Sequence, residues 1–223
     1  MASGLILGID TATRVAGLAL GDAHRLWAEE VWVSYETHTV ELMPRLDRVM
    51  RLLGRRPEDL EAVAVSIGPG SFTGLRIGLS VAKGLALSHG LPLVGIPTLD
   101  ILARPHVAQR GPIWAVIQAG RGRLCVARYE RRGGALVLRE GPSLLTLREW
   151  VEHLEGHPFV CGELEADEVA YLREVLGEGV RLATPAENLR RPGFLVELAR
   201  SRLEAGESDP PETLSPIYLQ HPS

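Results

Sequence analysis

The apolar positions in the first half of the chain alternate between strand-like runs and helix-like spacing. Residues 5–10 and 15–20 are apolar runs on either side of a short polar tip, which predicts a β-hairpin, and residues 25–33 supply a third strand. Residues 39–53 carry apolar side chains at helical spacing. A buried strand, a helix and another strand follow at residues 60–67, 72–87 and 91–96. This order of elements predicts an α/β fold.

The second half of the chain repeats the opening design. Residues 113–126 again consist of an apolar run, a small polar tip and an apolar run. This repeat predicts two related lobes with a cleft between them. We place the first lobe at residues 1–103, a linker at 104–112 and the second lobe at 113–223, and we expect the tail at 207–223 to return to the first lobe.

Helix starts can also be predicted in the second lobe. Thr146 and Thr184 are each followed three residues later by a glutamate, and this capping-box pattern predicts a helix after each threonine. A last helix is predicted at residues 194–203.

The turn between the predicted strand at 60–67 and the helix at 72–87 is rich in glycine. Bare backbone N–H groups at a helix start bind anions, and either Ser71 or Thr73 can serve as the N-cap. The turn is not a P-loop, because the Gly-Lys-[Ser/Thr] ending is missing and Lys83 lies about three turns along the helix. If the first hairpin's tip faces the same cleft, the two segments predict a vestigial nucleotide or phosphate loop made of Asp10, Thr11, Thr13, Gly68, Gly70 and Ser71. Asp10 can equally be a plain turn carboxylate.

The predicted helix at 72–87 is apolar around most of its circumference, so it should be covered on two sides. Small residues recur at every fourth position along it, at Gly74, Gly78, Ala82 and Ala86. Such a ridge lets another helix approach closely. The second cover is either another part of the same domain or another subunit, and periodicity leaves both open. If the ridge pairs with a partner, Gly78→Leu is expected to break that pairing.

The overall charge argues against a free-standing nucleic-acid-binding protein. The chain has 223 residues, a formal net charge of -4 and a pI near 6.0, whereas such domains are usually basic. A basic run from Arg121 to Arg132 suits contact with RNA or an acidic partner, although a solvated hairpin explains it as well. The start leads straight into a strand and no stretch has the length of a membrane span, so we expect a cytoplasmic protein without a membrane segment.

No metal site is predicted. Cys125 and Cys161 each lie in a strand-like apolar run, which favours buried reduced thiols over a disulfide or a metal pair. His153 and His157 are four residues apart, but a glycine between them is expected to end their helix first. His38 stands just before a helix and is interpreted as a polar cap or a surface residue.

Segments spread along the chain match one known family. They are the run from Gly68 to Gly78, Ile9-Asp10-Thr11, His38, Leu42-Met43-Pro44, Gly84-Leu85-Ala86, Thr98-Leu99 and Pro216-Ile217-Tyr218-Leu219. In these residues the chain resembles the bacterial TsaB (YeaZ) family, and the resemblance is thinner in the second lobe. There, Gln118-Ala119-Gly120 stands where the family usually has Asp-Ala-Arg, and an amide cannot supply the negative charge that a Mg²⁺ site favours.

The resemblance implies an α/β architecture of the actin-like ATPase type (ASKHA, RNase H-like), with two similar lobes whose mixed sheets are flanked by helices. It implies a non-catalytic scaffold subunit for the synthesis of N6-threonylcarbamoyladenosine in tRNA, which binds and activates the catalytic subunit TsaD. A TsaE-like ATPase and tRNA would be reached only through that complex, and the chain alone would form a homodimer. No cofactor is expected to be required, with weak ATP or ADP binding at a subunit junction.

The same resemblance implies that the catalytic and metal-binding residues of TsaD are absent here. In TsaD two histidines follow the strand equivalent to residues 94–96, and Thr98 and Leu102 occupy those places in this chain. Neither replaces an imidazole ligand. Family behaviour places the partner surface on the helices at 39–53 and 72–87, with the residues Leu42, Met43, Leu46, Met50, Gly74, Leu75, Gly78 and Ala82.

Two other functions compete with the scaffold. The chain is alternatively a nucleotide hydrolase or phosphotransferase in its own right, using Asp10 and the turn from Gly68 to Ser71. A metallopeptidase is the third hypothesis, and the missing histidine pair argues against it.

Overall fold

The computed structural model describes residues 4–35 and 37–219, and the chain divides into two units. Unit 1 contains the described residues up to Ile101 together with Arg191–Tyr218. Unit 2 contains Leu102–Arg190 with Leu219. Among the described residues, no helix combines the length and the apolar character that a membrane span requires.

Unit 1 is built on a five-stranded mixed sheet. Its strands and helices are β1 (Leu5–Asp10), β2 (Val15–Gly21), β3 (Leu26–Val33), α1 (His38–Leu52), β4 (Leu60–Ser66), α2 (Phe72–His89), β5 (Leu93–Ile96), the start of α3 (Thr98–Ala103) and α6 (Pro192–Glu204). The strand order is β3-β2-β1-β4-β5, in which β1, β2 and β3 are antiparallel neighbours and β4 and β5 run parallel to β1. The predicted opening hairpin, third strand and following helices are thereby confirmed.

Helices cover both faces of this sheet. The apolar stripes of α1 and α2 share one cluster with alternate residues of β1 and β4, such as Leu7 and Val63. The other set of alternate residues, such as Ile6 and Ala62, packs against α6. A central strand that is buried on both faces reads as a continuous apolar run, and β1 has this pattern.

Unit 2 repeats the topology of unit 1. Its elements are β6 (Ile113–Gly120), β7 (Arg123–Arg132), β8 (Ala135–Thr146), α4 (Leu147–Val151), β9 (Phe159–Gly162), α5 (Ala166–Leu176) and β10 (Arg181–Leu182). The order β8-β7-β6-β9-β10 corresponds strand for strand to β3-β2-β1-β4-β5, with the same parallel and antiparallel pairs. The core is centred on Trp114 and Trp150, whose rings lie 6.0 Å apart. The internal repeat predicted from one hairpin therefore extends to all five strands.

The structure corrects the predicted division of the chain. The position of residues 191–206 in the sequence predicts that they belong to the second lobe, but α6 belongs to unit 1, where Leu195, Val196 and Ala199 are buried against the sheet. The expected return of the tail does occur, because the Asp209 N–H donates to the Leu93 carbonyl at 2.7 Å.

The predicted linker at 104–112 is also partly structured. Arg104–His106 forms a 3-10 helix, and the His106 ring is buried 4.8 Å from the ring of Phe159 within unit 2. Burial lowers the pKa of His106, because the charged imidazolium loses its hydration. The segment therefore contributes to the core of unit 2 and is not a free connection.

Only one of the two predicted capping boxes opens a helix. Thr146 and Glu149 bond reciprocally at the start of α4. Thr184 and Glu187 make the same contacts, with the Glu187 carboxylate 2.8 Å from the Thr184 N–H, but only a turn follows. The prediction of a helix at Thr184 is wrong, since a capping box satisfies end groups and does not supply the apolar stripe that holds a helix.

Candidate functional site

The tip of the first hairpin lies directly against the glycine turn. The N–H of Ser71 donates to the Ala12 carbonyl at 2.6 Å. A Cβ on Gly70 would stand only 2.2 Å from the same oxygen, so no other residue type fits there without movement. Asp10, Thr11 and Thr13 at the tip are all buried. Of the six residues predicted as a phosphate or nucleotide loop, Gly70 and Ser71 therefore lie against the hairpin tip that carries Asp10, Thr11 and Thr13, whereas Gly68 lies against the backbone of Ile217.

The first turns of α2 lie on Thr11. Its hydroxyl donates to the Gly74 carbonyl at 2.7 Å. A Cβ on Gly74 would be 2.2 Å from the Thr11 carbonyl oxygen, and one on Gly78 would be 2.3 Å from the Thr11 hydroxyl. Of the two candidate N-caps Ser71 takes the role, since its hydroxyl accepts from the Gly74 N–H at 3.2 Å. Gly74 and Gly78 thus pack against the chain's own hairpin, which corrects their assignment to a partner surface.

The polar groups of the hairpin tip take part in local hydrogen bonds. The Asp10 carboxylate accepts from the Ala12 N–H at 3.0 Å, which is the contact of a turn carboxylate. His38 is the first residue of α1 and is buried, with Nε2 3.0 Å from the Thr13 carbonyl. Its interpretation as a cap or surface residue is corrected, because the ring reaches back to the hairpin. Binding of a phosphate at this loop stays a prediction.

Most of the predicted partner residues form the core of unit 1. Leu42, Leu46 and Met50 of α1, and Leu75 and Ala82 of α2, are between 0% and 6% exposed. Met43 alone among the eight predicted residues is largely accessible, at 47%. The most apolar face of a helix normally packs against the sheet of its own domain. The residues predicted from apolar spacing to contact a partner are therefore the residues of the inward face.

The outward faces of the same two helices carry different apolar residues. On α1 they include Val40 and Met43. On α2 we define the outer strip as the residues that follow each other at spacings of three or four along one face: Phe72, Arg76, Ser80, Lys83 and Leu87. Phe72 and Leu87 are 54% and 60% exposed. The steps of four, four, three and four residues along the strip are a helical spacing, and this spacing is the signal for the strip in the sequence.

The charge of the outer strip has one sign. Helix α2 contains no Asp or Glu, whereas Arg76 and Lys83 lie on the strip. Within the part of the chain that the structure describes, neither cation forms an ion pair. The arginines of α1 differ, because Arg45 and Arg48 both pair with Glu30 of β3.

In unit 2 the side chain of Gln118, which corresponds to Asp10 in the repeated hairpin, forms hydrogen bonds within the unit. The Gln118 amide donates to a Glu168 carboxylate oxygen at 2.8 Å and to the Glu163 carbonyl at 3.1 Å. The arginines from Arg121 to Arg132 do not form one patch, since β7 carries them from one end of the sheet to the other, about 30 Å apart at the usual rise per residue.

The histidines and cysteines of unit 2 are the candidates for metal binding and thiol chemistry. His153 and His157 do not share a helical face, because α4 ends at Val151. The thiols of Cys125 and Cys161 are free and buried, as predicted, and burial raises the pKa of Cys125 to about 12. The described residues include no group of three or more His, Cys, Asp or Glu side chains arranged to hold a metal ion.

The chain is similar in sequence to proteins of tRNA threonylcarbamoyladenosine biosynthesis and in structure to YeaZ-type proteins. A family model described as TsaD: tRNA N6-adenosine threonylcarbamoyltransferase matches residues 33–168. The tRNA threonylcarbamoyladenosine biosynthesis protein TsaB of Escherichia coli is 37% identical over 225 residues, which cover 97% of this chain and 94% of that protein. A crystal structure from Pseudomonas aeruginosa, of an uncharacterized protein with similarity to peptidase YEAZ, superposes with a TM-score of 0.81 at 25% identity, over 97% of this chain and all of that one.

A more distant structure resembles the chain in fold alone. The ethanolamine utilization protein EutJ from Carboxydothermus hydrogenoformans superposes with a TM-score of 0.52 at 12% identity, over 88% of this chain and 90% of its own. Together with the two mixed sheets and their flanking helices, these likenesses confirm the predicted actin-like ATPase fold class.

Proposed function

The chain belongs to the TsaB family of tRNA threonylcarbamoyladenosine biosynthesis proteins, and we propose that it acts as a non-catalytic subunit that binds and activates a TsaD-type transferase. The observation that carries this proposal is the outward face of α1 and α2. Both helices pack on the same face of the sheet and expose large apolar side chains, among them Met43, Phe72 and Leu87.

Two features of the chain support a binding role over catalysis. The glycine turn donates its Ser71 N–H to Ala12 and so directs it at the chain's own hairpin. The family resemblance implies that Thr98 and Leu102 stand in the places of the TsaD histidines, and these two residues are 0% and 1% exposed. A hydroxyl and an alkyl group inside a core supply neither a metal ligand pair nor a nucleophile with a base beside it.

Three further partners are proposed: a TsaE-type ATPase, tRNA and a second copy of the chain. We propose that a TsaE-type ATPase and tRNA are engaged only through the complex, since the net charge of -4 offers no general attraction for RNA. In the absence of the transferase, the same apolar face would pair with a second copy of the chain, because exposed apolar patches favour association.

Co-elution tests the proposal directly. Purified chain mixed with an equimolar TsaD-type transferase is expected to run in size-exclusion chromatography as one species of their combined mass. The transferase is expected to modify tRNA faster with the chain present than without it. Two separate peaks at concentrations of tens of micromolar would contradict the proposal.

The competing function, nucleotide hydrolysis by the chain itself, makes a different prediction. Because the Ser71 N–H and the Asp10 carboxylate are engaged within the chain, isothermal titration of the chain alone with ATP and Mg²⁺ is expected to show no heat of binding. Weak binding of ATP or ADP would then require a subunit junction. Saturable heat from the isolated chain, accompanied by release of phosphate, would favour the hydrolase.

A further inference from the structure

The C-terminal segment is fixed along unit 1. Asp209 is held by the Leu93 carbonyl through its N–H, while its carboxylate accepts from the Gly95 N–H at 2.8 Å and from Arg202 at 2.8 Å. Further along, the N–H of Ile217 donates to the Ile67 carbonyl at 2.7 Å. The segment is therefore part of the folded unit up to the glycine turn.

The end of this segment reaches the outer strip of α2. The ring of Tyr218 lies 5.2 Å from that of Phe72, and its hydroxyl accepts from Arg76 Nε at 3.1 Å. The Arg76 guanidinium stacks over the Phe72 ring at 3.7 Å. Phe72 and Tyr218 nevertheless remain 54% and 44% exposed. The three side chains hold one another in place at the first turn of the helix while still facing outward.

Such a cluster is suited to binding. Aromatic and arginine side chains contribute a large share of the energy of protein interfaces. Mutual contacts among Phe72, Arg76 and Tyr218 reduce the conformational entropy that binding would otherwise cost. The strip has no acidic residue, so a complementary surface must be apolar and must place carboxylates opposite Arg76 and Lys83.

We infer that the C-terminal segment Asp209–Tyr218 is part of the transferase-binding surface, and that Tyr218 extends the outer strip beyond the start of α2. This inference rests on the proposed function. The occupant is a helix of the transferase that packs apolar side chains on Phe72 and Tyr218 and presents carboxylates to Arg76 and Lys83. The strip is long enough for such a helix, since the helix rises about 22 Å between Phe72 and Leu87.

Calorimetric titration with the transferase tests the role of Tyr218. Tyr218→Ala is expected to weaken binding about 10- to 30-fold, which is the usual loss when a well-packed aromatic residue of an interface is truncated. Tyr218→Phe, which keeps the ring, is expected to stay within about threefold of the unchanged chain. Tyr171→Ala on α5 of unit 2 serves as the matched tyrosine control and is expected to bind as the unchanged chain does. Arg76→Glu reverses a charge of the strip and also removes the donor to the Tyr218 hydroxyl, and it is expected to lose at least as much affinity as Tyr218→Ala.

Hydrogen exchange provides a second measurement that needs no substitution. Binding of the transferase is expected to slow exchange of the backbone amides near Ile217 and at the start of α2. Binding by Tyr218→Ala and Arg76→Glu within twofold of the unchanged chain would overturn the inference while leaving the proposed function intact. The inference would also be overturned if these variants changed the self-association of the chain but not its binding of the transferase, because the strip would then be a homodimer interface. If the unchanged chain does not bind the transferase, the proposed function fails first.

Discussion

Gly74→Ala is expected to lower the free energy of unfolding by about 3 kcal/mol, which is a large effect for one added methyl group. The new Cβ would stand 2.2 Å from the backbone oxygen of Thr11, and a backbone atom cannot move aside as the end of a flexible side chain can. Helix α2 would have to shift away from the hairpin, which would also disturb the hydrogen bond from the Thr11 hydroxyl to the Gly74 carbonyl. Urea unfolding followed by circular dichroism measures the change.

Gly84 on the same helix provides the control. It is exposed, and a Cβ there would meet no atom within 4 Å. Gly84→Ala is therefore expected to stabilise the protein by up to about 1 kcal/mol, because alanine favours the helix more than glycine does. If the two variants shift stability in the same direction, α2 does not pack on Thr11 as described.

This contact changes how a substitution at Gly78 should be interpreted. The repeat of small residues marks Gly78→Leu as a test of helix pairing with a partner. In the structure a Cβ at Gly78 would lie 2.3 Å from the Thr11 hydroxyl, so the larger side chain would disrupt unit 1 itself. Loss of partner binding by Gly78→Leu would then follow from loss of the fold and would not locate the interface.

The sequence was most informative about local structure and least informative about what each face contacts. The apolar runs around Asp10 and Gln118 predicted two similar hairpins, and the full topology of both sheets agrees with that repeat. The stripe of Leu42, Leu46 and Met50 predicted α1 correctly. Whether that stripe faced a sheet or a partner depended on contacts far along the chain, and helical periodicity carries no such information.

Long-range packing explains the remaining differences. No local pattern assigns α6 to unit 1, because its apolar residues would suit either sheet equally well. The N-terminus of α6 is tied to unit 1 by Glu29 of β3, whose carboxylate accepts from the Gly193 N–H at 2.8 Å and pairs with Arg191. The basic run near Arg128 was continuous in sequence, yet a strand separates its ends, and Glu130 pairs with Arg128 and Arg139. Contacts of this kind appear only once the topology is fixed.

Charged substitutions on the outward face of α1 and α2 should abolish binding of the transferase while leaving the fold intact. Met43→Glu and Leu87→Glu each place a carboxylate where the proposed interface is apolar. Burying that charge without a partner at Met43 would cost several kcal/mol, so we expect Met43→Glu to bind at least about 100-fold more weakly. The glutamate of Leu87→Glu would stand one turn from Lys83, and we expect this variant to bind at least about tenfold more weakly. Because the two side chains are 47% and 60% exposed, the melting temperature should change little.

Val175→Glu on α5 of unit 2 is the matched control, since Val175 is 49% exposed and lies on a helix outside the proposed surface. Titration of the transferase into all three variants separates a specific interface from a general effect of added negative charge. If Val175→Glu weakens binding as much as the other two, the effect is not local. If Met43→Glu and Leu87→Glu bind normally while the unchanged chain also binds, the transferase contacts another face, and the apolar residues exposed on α1 and α2 need a different occupant.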